Sequence, residues 1–299
     1  MTNSSTRRTF LKQTGVLSVS SILPLSVLPI NPKYKMGLQL FTIRDAMAKA
    51  PMDSIKYARG LGYEDGEIYG YDNDNDTYYG IKSKEFKKQI DDLDFTVSSG
   101  HYDFSSRFDE PMDTLTKYVD QCIEGSLVLN SKYITWPWLA PKFRTIEKFK
   151  VLTDKLNRIG EQVNKAGLQF AYHNHDFEFT EHDGEQGYDI ILSGTDPNLV
   201  KLQMDMYWVE HSSKKNIHEL IAENPGRYVM WHIKDMDKIT RDYSEMGNGS
   251  IDYKSILSSL EKKDLQYYYI EQGGNFAENS MQSITDSAVY FKRYLQHYL

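Results

Sequence analysis

Apolar and polar positions follow two recurring patterns from about residue 35 onward. Short runs rich in β-branched and aromatic residues predict strands, and the stretches between them have apolar residues at helical spacing. The predicted strands are residues 36–44, 62–70, 94–104, 132–139, 167–175, 200–209, 228–235 and 266–272. Eight strands that alternate with helices predict an α/β protein with a single-domain (β/α)8 TIM barrel.

The alternative is an open, doubly wound sheet, which needs a glycine-rich turn after its first strand. The segment that follows the first predicted strand, "FTIRDAMAKAP", contains no glycine. The total of 299 residues suits one barrel domain. We therefore predict two parts: an export signal with its linker in residues 1–34, and the barrel in residues 35–299.

The N-terminus has the pattern of an export signal. Arg7 and Arg8 are followed by Phe10-Leu11-Lys12 and then by the modestly apolar "VLSVSSILPLSVLPI". This arrangement resembles a twin-arginine signal and is too short and interrupted to span a membrane. No cysteine follows at which a lipid could be attached. The sequence therefore predicts a periplasmic protein without a stable membrane anchor, and the alternative is a chance basic pair.

The composition narrows the classes of partner. A net charge of −7 argues against a nucleic-acid surface, which needs a basic field. The 22 tyrosines suit either a groove that binds carbohydrate or ordinary packing. Cys122 is the only cysteine of the sequence and lies in a helical stretch. With a single cysteine, neither an intrachain disulfide nor a cysteine-based metal cluster can form.

The ends of the predicted strands carry the candidate chemistry, because functional residues of a barrel lie at the carboxyl ends of its strands. Strands five to eight each end in a histidine or carboxylate. Nitrogen and oxygen ligands without thiolate suit one divalent ion of manganese, magnesium, cobalt, iron or zinc. The strand-end residues are Glu67, His101, His173, His175, Asp205, His232, Lys234 and Glu271.

Five motifs, "YHNHDFEF", "MDMYWV", "WHIKDMD", "MGNGSIDY" and "YYIEQGG", occur in this order. Together they resemble the sugar phosphate isomerase/epimerase family, the xylose isomerase-like barrels, from "GLQLFTIR" to the last helix. The resemblance implies a metal bound by one residue from each of strands five to eight, and further residues that face the substrate. The implied metal ligands are His173, Asp205, His232 and Glu271, and the implied substrate-side residues are Glu67, His101, Lys234, Gly247 and Gly249.

One position departs from the family pattern. His173 falls where many epimerases of the family have a glutamate that is both ligand and acid/base, so that Glu271 is the remaining carboxylate of this kind. The paired histidines of "YHNH" are similar to the inosose dehydratase branch, whose reaction is an elimination. We expect His175 or Glu178 to be the second proton carrier, and His175 has the alternative role of orienting its neighbour. Lys234 is expected to hold or protonate a departing oxygen.

The resemblance implies proton abstraction next to a carbonyl through a metal-stabilised enediolate. Isomerisation or epimerisation is the first expectation, and β-elimination by a keto-sugar dehydratase or lyase is the alternative. Export and the lack of a phosphate loop favour a free or keto sugar, or a glycoside, over a sugar phosphate. The rival classes are an endonuclease on the same barrel and a non-catalytic carbohydrate-binding protein. The sequence leaves the formation of a homo-oligomer open.

Overall fold

The computed structural model describes residues 32–299. The predicted signal, with Arg7 and Arg8, lies almost entirely outside these residues, so the export signal and the boundary at residue 35 stay predictions. Within the described part, helices that combine the length and the apolar character needed to cross a bilayer are absent.

Eight parallel strands, numbered β1 to β8 in chain order, close into a barrel. Each predicted run contains one of these strands, which confirms the (β/α)8 prediction. The strands are β1 Gly37–Gln39, β2 Asp65–Ile68, β3 Thr96–His101, β4 Tyr133–Trp136, β5 Gln169–His173, β6 Val200–Asp205, β7 Tyr228–Ile233 and β8 Tyr267–Ile270. The barrel closes because β1 pairs with both β2 and β8.

Helices follow the strands and cover the outside of the barrel. The longest, Ile146–Lys165, begins after Thr145, whose side chain accepts a hydrogen bond from the backbone N–H of Lys148. Gly167 follows its end with a φ of +80°, a conformation that favours glycine. The α-helices, α1 to α10, are Arg44–Met47, Pro51–Gly60, Ser83–Asp92, Met112–Leu129, Ile146–Lys165, Gly187–Gly194, Met206–Ser212, Ile217–Glu223, Tyr253–Ser259 and Ser280–Tyr294.

Each predicted strand run extends beyond the observed strand, and the excess is large at the carboxyl ends of β1 and β6, for the same reason. β1 ends at Gln39, whose side chain accepts a hydrogen bond from the backbone N–H of Phe41 and starts a 3₁₀ turn. β6 ends at Asp205, whose carboxylate accepts a hydrogen bond from the backbone N–H of Trp208 and caps α7. In both cases a polar strand-end side chain stops the strand, and the turn beyond it brings one aromatic side chain, Phe41 or Trp208, to the mouth of the barrel.

Short hairpins extend the loops beyond the carboxyl ends of the strands. Residues 71–82 form a small three-stranded antiparallel sheet, and residues 181–186 and 235–244 form two-stranded ones. The acidic turn of the first sheet, residues 74–76, is exposed. Cys122 is buried in α4, where burial raises the pKa of its thiol.

Candidate active site

A cavity of about 710 Å³ opens at the carboxyl ends of the barrel strands. The strand-end residues predicted from the sequence gather at its floor. His101, His173, Lys234 and Glu271 line the cavity directly, and His175 lines its wall. Glu67, Asp205 and His232 are fully buried just behind this floor and contact its residues.

Glu67 is the centre of a hydrogen-bond network that joins five barrel strands. Burial alone would raise its pKa, but His101 and His232 outweigh burial and hold the pKa well below its ordinary value. The carboxylate is therefore ionised and accepts hydrogen bonds from four side chains. The donors are Gln39 Nε2 at 2.6 Å, Ser99 Oγ at 2.6 Å, Gln203 Nε2 at 2.7 Å and His232 Nε2 at 2.6 Å. His101 Nε2 lies 2.9 Å from Glu67 Oε2 and forms its hydrogen bond with Gln203 Oε1 at 2.7 Å.

His232 near the end of β7 and Lys234 just after it connect the acidic groups. His232 Nδ1 donates to Glu271 Oε2 at 2.6 Å, and Lys234 Nζ lies 2.7 Å from both Glu271 Oε2 and Asp205 Oδ2. Burial would lower the pKa of His232, but Glu67 and Glu271 raise it to about 9. Burial likewise opposes the charge on Glu271, but Lys234 and His232 hold its pKa well below the usual value.

His173 and His175 differ from His232 because neither has a close carboxylate on both sides. Burial, together with neighbouring cationic groups, holds the pKa of both imidazoles well below the usual value. Both rings are therefore neutral at physiological pH, with nitrogens available to accept a proton or bind a metal. Within the described residues, the buried Nδ1 atoms of both rings have no hydrogen-bond partner.

Glu178 lies behind the wall of the cavity and does not line it. It is completely buried, and it accepts hydrogen bonds from the hydroxyl of Tyr172 at 2.7 Å and from the backbone N–H of His175 at 2.8 Å. Burial raises the pKa of its carboxyl to about 8. The structure therefore places Glu178 where it holds the backbone of His175.

The raised pKa of Glu178 predicts a pH dependence of stability. The folded protein binds this proton more tightly than the unfolded chain, so the contribution is complete below about pH 4.5 and is lost as the pH rises through about 8. Between these limits we expect Glu178 to lower the free energy of unfolding by roughly 1.4 kcal/mol per pH unit. In Glu178→Gln this component of the slope should disappear, as measured by urea unfolding at several pH values.

The exposed Glu124 on α4 offers a matched control for that comparison. Glu124→Gln makes the same chemical change at the surface and should keep the wild-type dependence on pH. An unchanged slope in Glu178→Gln would show that this carboxyl is already ionised in the folded protein at neutral pH.

Gly247 and Gly249 do not line the cavity; they surround Asp235. Their backbone N–H groups donate to Asp235 Oδ2 at 2.8 and 3.1 Å, and Ile251 N donates to Oδ1. A side chain at Gly249 would meet Asp235 Oδ1 at 2.0 Å. The "GNGSID" segment thus wraps a buried carboxylate and supports the loop after β7.

Sequence reasoning missed two groups of residues at this site. Gln39 and Gln203 hold Glu67 and His101 in place, and their signal was a polar residue on the inward face of an otherwise apolar strand. The second group forms the upper walls of the cavity and comes from loops after the strands. Its members include Phe41, Tyr69, Trp138, Arg144, Trp208 and Tyr243.

The donor chemistry at the floor fits a divalent cation. Asp205, His232 and Glu271 each place a ligand atom within 4.8 Å of the others, and so do His101, His173 and His232. His173 Nε2 lies 3.6 Å from Asp205 Oδ2, and its Nδ1 has no hydrogen-bond partner among the described residues. Two imidazoles and two carboxylates are a common ligand set for such ions. The residues that would hold the ion are His173, Asp205, His232 and Glu271, and His232 would bind it after losing the proton that it now shares with Glu271.

A parallel eight-stranded barrel with histidines and carboxylates gathered at the carboxyl ends of its strands is the architecture of the TIM-barrel enzymes. The family model described as "xylose isomerase-like TIM barrel" matches residues 55–284. The chain therefore belongs to the xylose isomerase-like TIM-barrel family.

The individual proteins that this chain resembles share low sequence identity with it. An inosose dehydratase from Bacillus licheniformis is 28% identical over 137 residues, which are 40% of this chain and 44% of that enzyme, so the match spans less than half of the curated relative. A solved sugar phosphate isomerase/epimerase from Parabacteroides distasonis is 25% identical with a TM-score of 0.77, over 90% of this chain and 97% of that one. The IOLI protein, solved with a bound zinc atom, shares the fold with 17% identity and a TM-score of 0.71, over 89% of this chain and 99% of that one.

Proposed function

We propose that the protein is a divalent-metal-dependent isomerase or epimerase of a keto sugar or keto glycoside, acting in the periplasm. The observation that carries the proposal is the pairing of Glu271 and Lys234 at the floor of the cavity, 2.7 Å apart. A carboxylate beside an ammonium group can accept a proton from carbon while the ammonium group stabilises the negative charge that develops on the neighbouring oxygen.

A divalent ion bound by His173, Asp205, His232 and Glu271 would stabilise negative charge on a carbonyl oxygen and orient the substrate. The candidate ions are manganese, magnesium, cobalt, iron and zinc. Lys234 supports the same task from the protein side, because its ammonium group reaches both Asp205 and Glu271. Burial opposes its charge, but these two carboxylates raise its pKa, so it is protonated throughout the physiological range.

Glu271 is proposed as the proton acceptor. In the structure its basicity is low, because Lys234 and His232 both contact Oε2. A substrate oxygen that accepts the hydrogen bond of Lys234 in place of Glu271 would raise the pKa of Glu271. The carboxylate would then be a stronger base when the proton is abstracted. His101 lines the floor beside Glu67, and Gln39 and Gln203 engage both of its ring nitrogens, so we assign its ring to the surface that faces the substrate.

Elimination is the second candidate, and one feature favours it. The position that holds a second acid/base glutamate in the epimerase pattern is His173, so the symmetric exchange of a proton between two glutamates is not available. The neutral imidazole of His175 on the cavity wall could instead donate a hydrogen bond to the leaving oxygen. The inosose dehydratases among the relatives are named for an elimination.

The test common to both candidates is the incorporation of solvent deuterium. We expect the purified protein, loaded with each of the five metals in turn, to introduce deuterium next to the carbonyl of a keto hexose, a methyl keto-glycoside or a cyclic keto polyol in D2O. A product of unchanged composition identifies isomerisation or epimerisation, and loss of water or of the aglycone identifies elimination.

Asp205→Asn should lose both bound metal and deuterium incorporation. Asparagine can still cap α7 through its oxygen, so the fold should remain intact. Asp252→Asn is the matched control because Asp252 caps α9 in the same way at an exposed position. Undiminished metal content in Asp205→Asn would overturn the ligand assignment. Sugar binding without deuterium incorporation under any metal would favour a carbohydrate-binding protein.

A further inference from the structure

The upper part of the cavity is aromatic, whereas its floor is charged. Phe41 and Trp138 stand at the mouth with 40% and 41% of their surfaces exposed, and both line the same cavity as Glu271. They follow β1 and β4, which are not neighbours in the barrel. The two rings therefore form separate walls above the floor and do not pack against each other as part of one cluster.

Both rings are held in place by the same device. The guanidinium of Arg44 lies 4.4 Å from the centre of the Phe41 ring, and that of Arg144 lies 4.3 Å from the Trp138 ring. Each arginine is also anchored to a nearby backbone carbonyl, Arg44 to that of Phe41 itself at 3.0 Å and Arg144 to that of Leu139 at 2.9 Å. Each ring thus has a supported side and leaves much of its surface open, which is an arrangement fixed before any ligand binds.

The cavity is larger than a single sugar ring requires. A volume of about 710 Å³ is within the range of sites that enclose drug-sized ligands, and it is much larger than one pyranose ring. A single pyranose ring at Glu271 and Lys234 would fill only part of this volume, so that Phe41 and Trp138, which line the same cavity, would remain available to a second ring. Rigid aromatic faces suit the apolar face of a second ring, which would remove them from water.

We propose that the aromatic walls at Phe41 and Trp138 form a subsite for a second ring, and that the substrate is a glycoside whose aglycone is a sugar or aryl ring. This inference rests on the proposed function for the position of the reacting sugar. It narrows the substrate class from keto sugars in general to two-ring glycosides.

The test measures binding, which does not require turnover. Isothermal titration of the metal-loaded protein with methyl glucoside, phenyl glucoside and cellobiose compares one ring with two, each unoxidised and therefore unreactive. We expect at least one two-ring ligand to bind about tenfold or more tightly than methyl glucoside. The tighter of the two identifies whether the second ring is an aryl group or a sugar.

Phe41→Ala and Trp138→Ala should each reduce this preference for two rings by most of its value, and Trp138→Phe should retain part of it. Tyr294→Ala is the matched control, since Tyr294 is an aromatic side chain of similar exposure, 44%, on the last long helix. It should keep the wild-type preference.

Equal affinity for one and two rings would overturn the subsite, and so would a preference that neither alanine variant reduces. Failure of the proposed function is recognised separately, because it would appear as an absence of deuterium incorporation from every keto sugar while the binding preference persists.

Discussion

Replacing Glu67 by glutamine is expected to lower the free energy of unfolding by roughly 3–5 kcal/mol, because a buried charge network would lose its central anion. Glu67 is completely buried and accepts hydrogen bonds from residues on β1, β3, β6 and β7. A glutamine keeps one accepting oxygen but turns an NH2 group toward donors. In a thermal melt the effect should be a fall in Tm on the order of 10 °C.

The half-buried Glu64, which precedes the same strand, provides the control. Glu64→Gln makes the same substitution outside the network and should change Tm by no more than about 1 °C, as for most surface positions. A Glu67→Gln protein as stable as wild type would mean that the network rearranges around the amide. The positive charge assigned to His232 would then need a different source of stabilisation.

The barrel itself was predictable because each of its strands carries its own local signal. Parallel strands covered by helices are apolar on both faces, and the polar residue that ends each run stands out against that background. The strand-end residues His101, His173, Asp205, His232 and Glu271 could therefore be selected before their contacts were known. The structure brings them together because carboxyl ends of parallel strands meet at one end of a barrel.

The remaining parts of the site depend on the conformation of loops, which strand periodicity does not report. Gly247 and Gly249 were placed at the substrate rim by resemblance alone, whereas the structure wraps them around Asp235. Glu178 looked like a free acid beside two histidines, but the 3₁₀ turn at Phe177–Phe179 directs it into the protein. Local spacing identifies neighbours in the chain and leaves open which way a loop turns.

The positions of the aromatic wall residues also depend on loop conformation and could not be predicted from the sequence. Trp138 lies in the "TWPWL" segment that was assigned wholly to a strand, yet β4 ends at Trp136. Only the loop after this strand brings Trp138 and Arg144 over the cavity. The sequence does not show whether a tryptophan is exposed or buried. Composition could therefore suggest a carbohydrate-binding groove but could not locate it.

Glu271→Gln is expected to reduce exchange of the substrate's α-proton with solvent by about 10²–10⁴-fold, the usual contribution of a positioned base. The amide keeps one oxygen that can bind a metal but cannot accept a proton at neutral pH. The fold should survive, because Lys234 retains Asp205 and His232 retains Glu67 as partners. Exchange is measured by the loss of the α-proton signal in D2O, with metal content determined on the same sample.

The exposed Glu278, which follows in the same loop, separates the loss of the base from the loss of a negative charge near the cavity. Glu278→Gln should retain wild-type exchange. A large loss of exchange in Glu271→Gln with most of the metal retained assigns the proton transfer to this carboxylate, because metal binding and orientation are then largely preserved. Exchange near the wild-type rate would move the base to His175, whose neutral imidazole lines the same cavity.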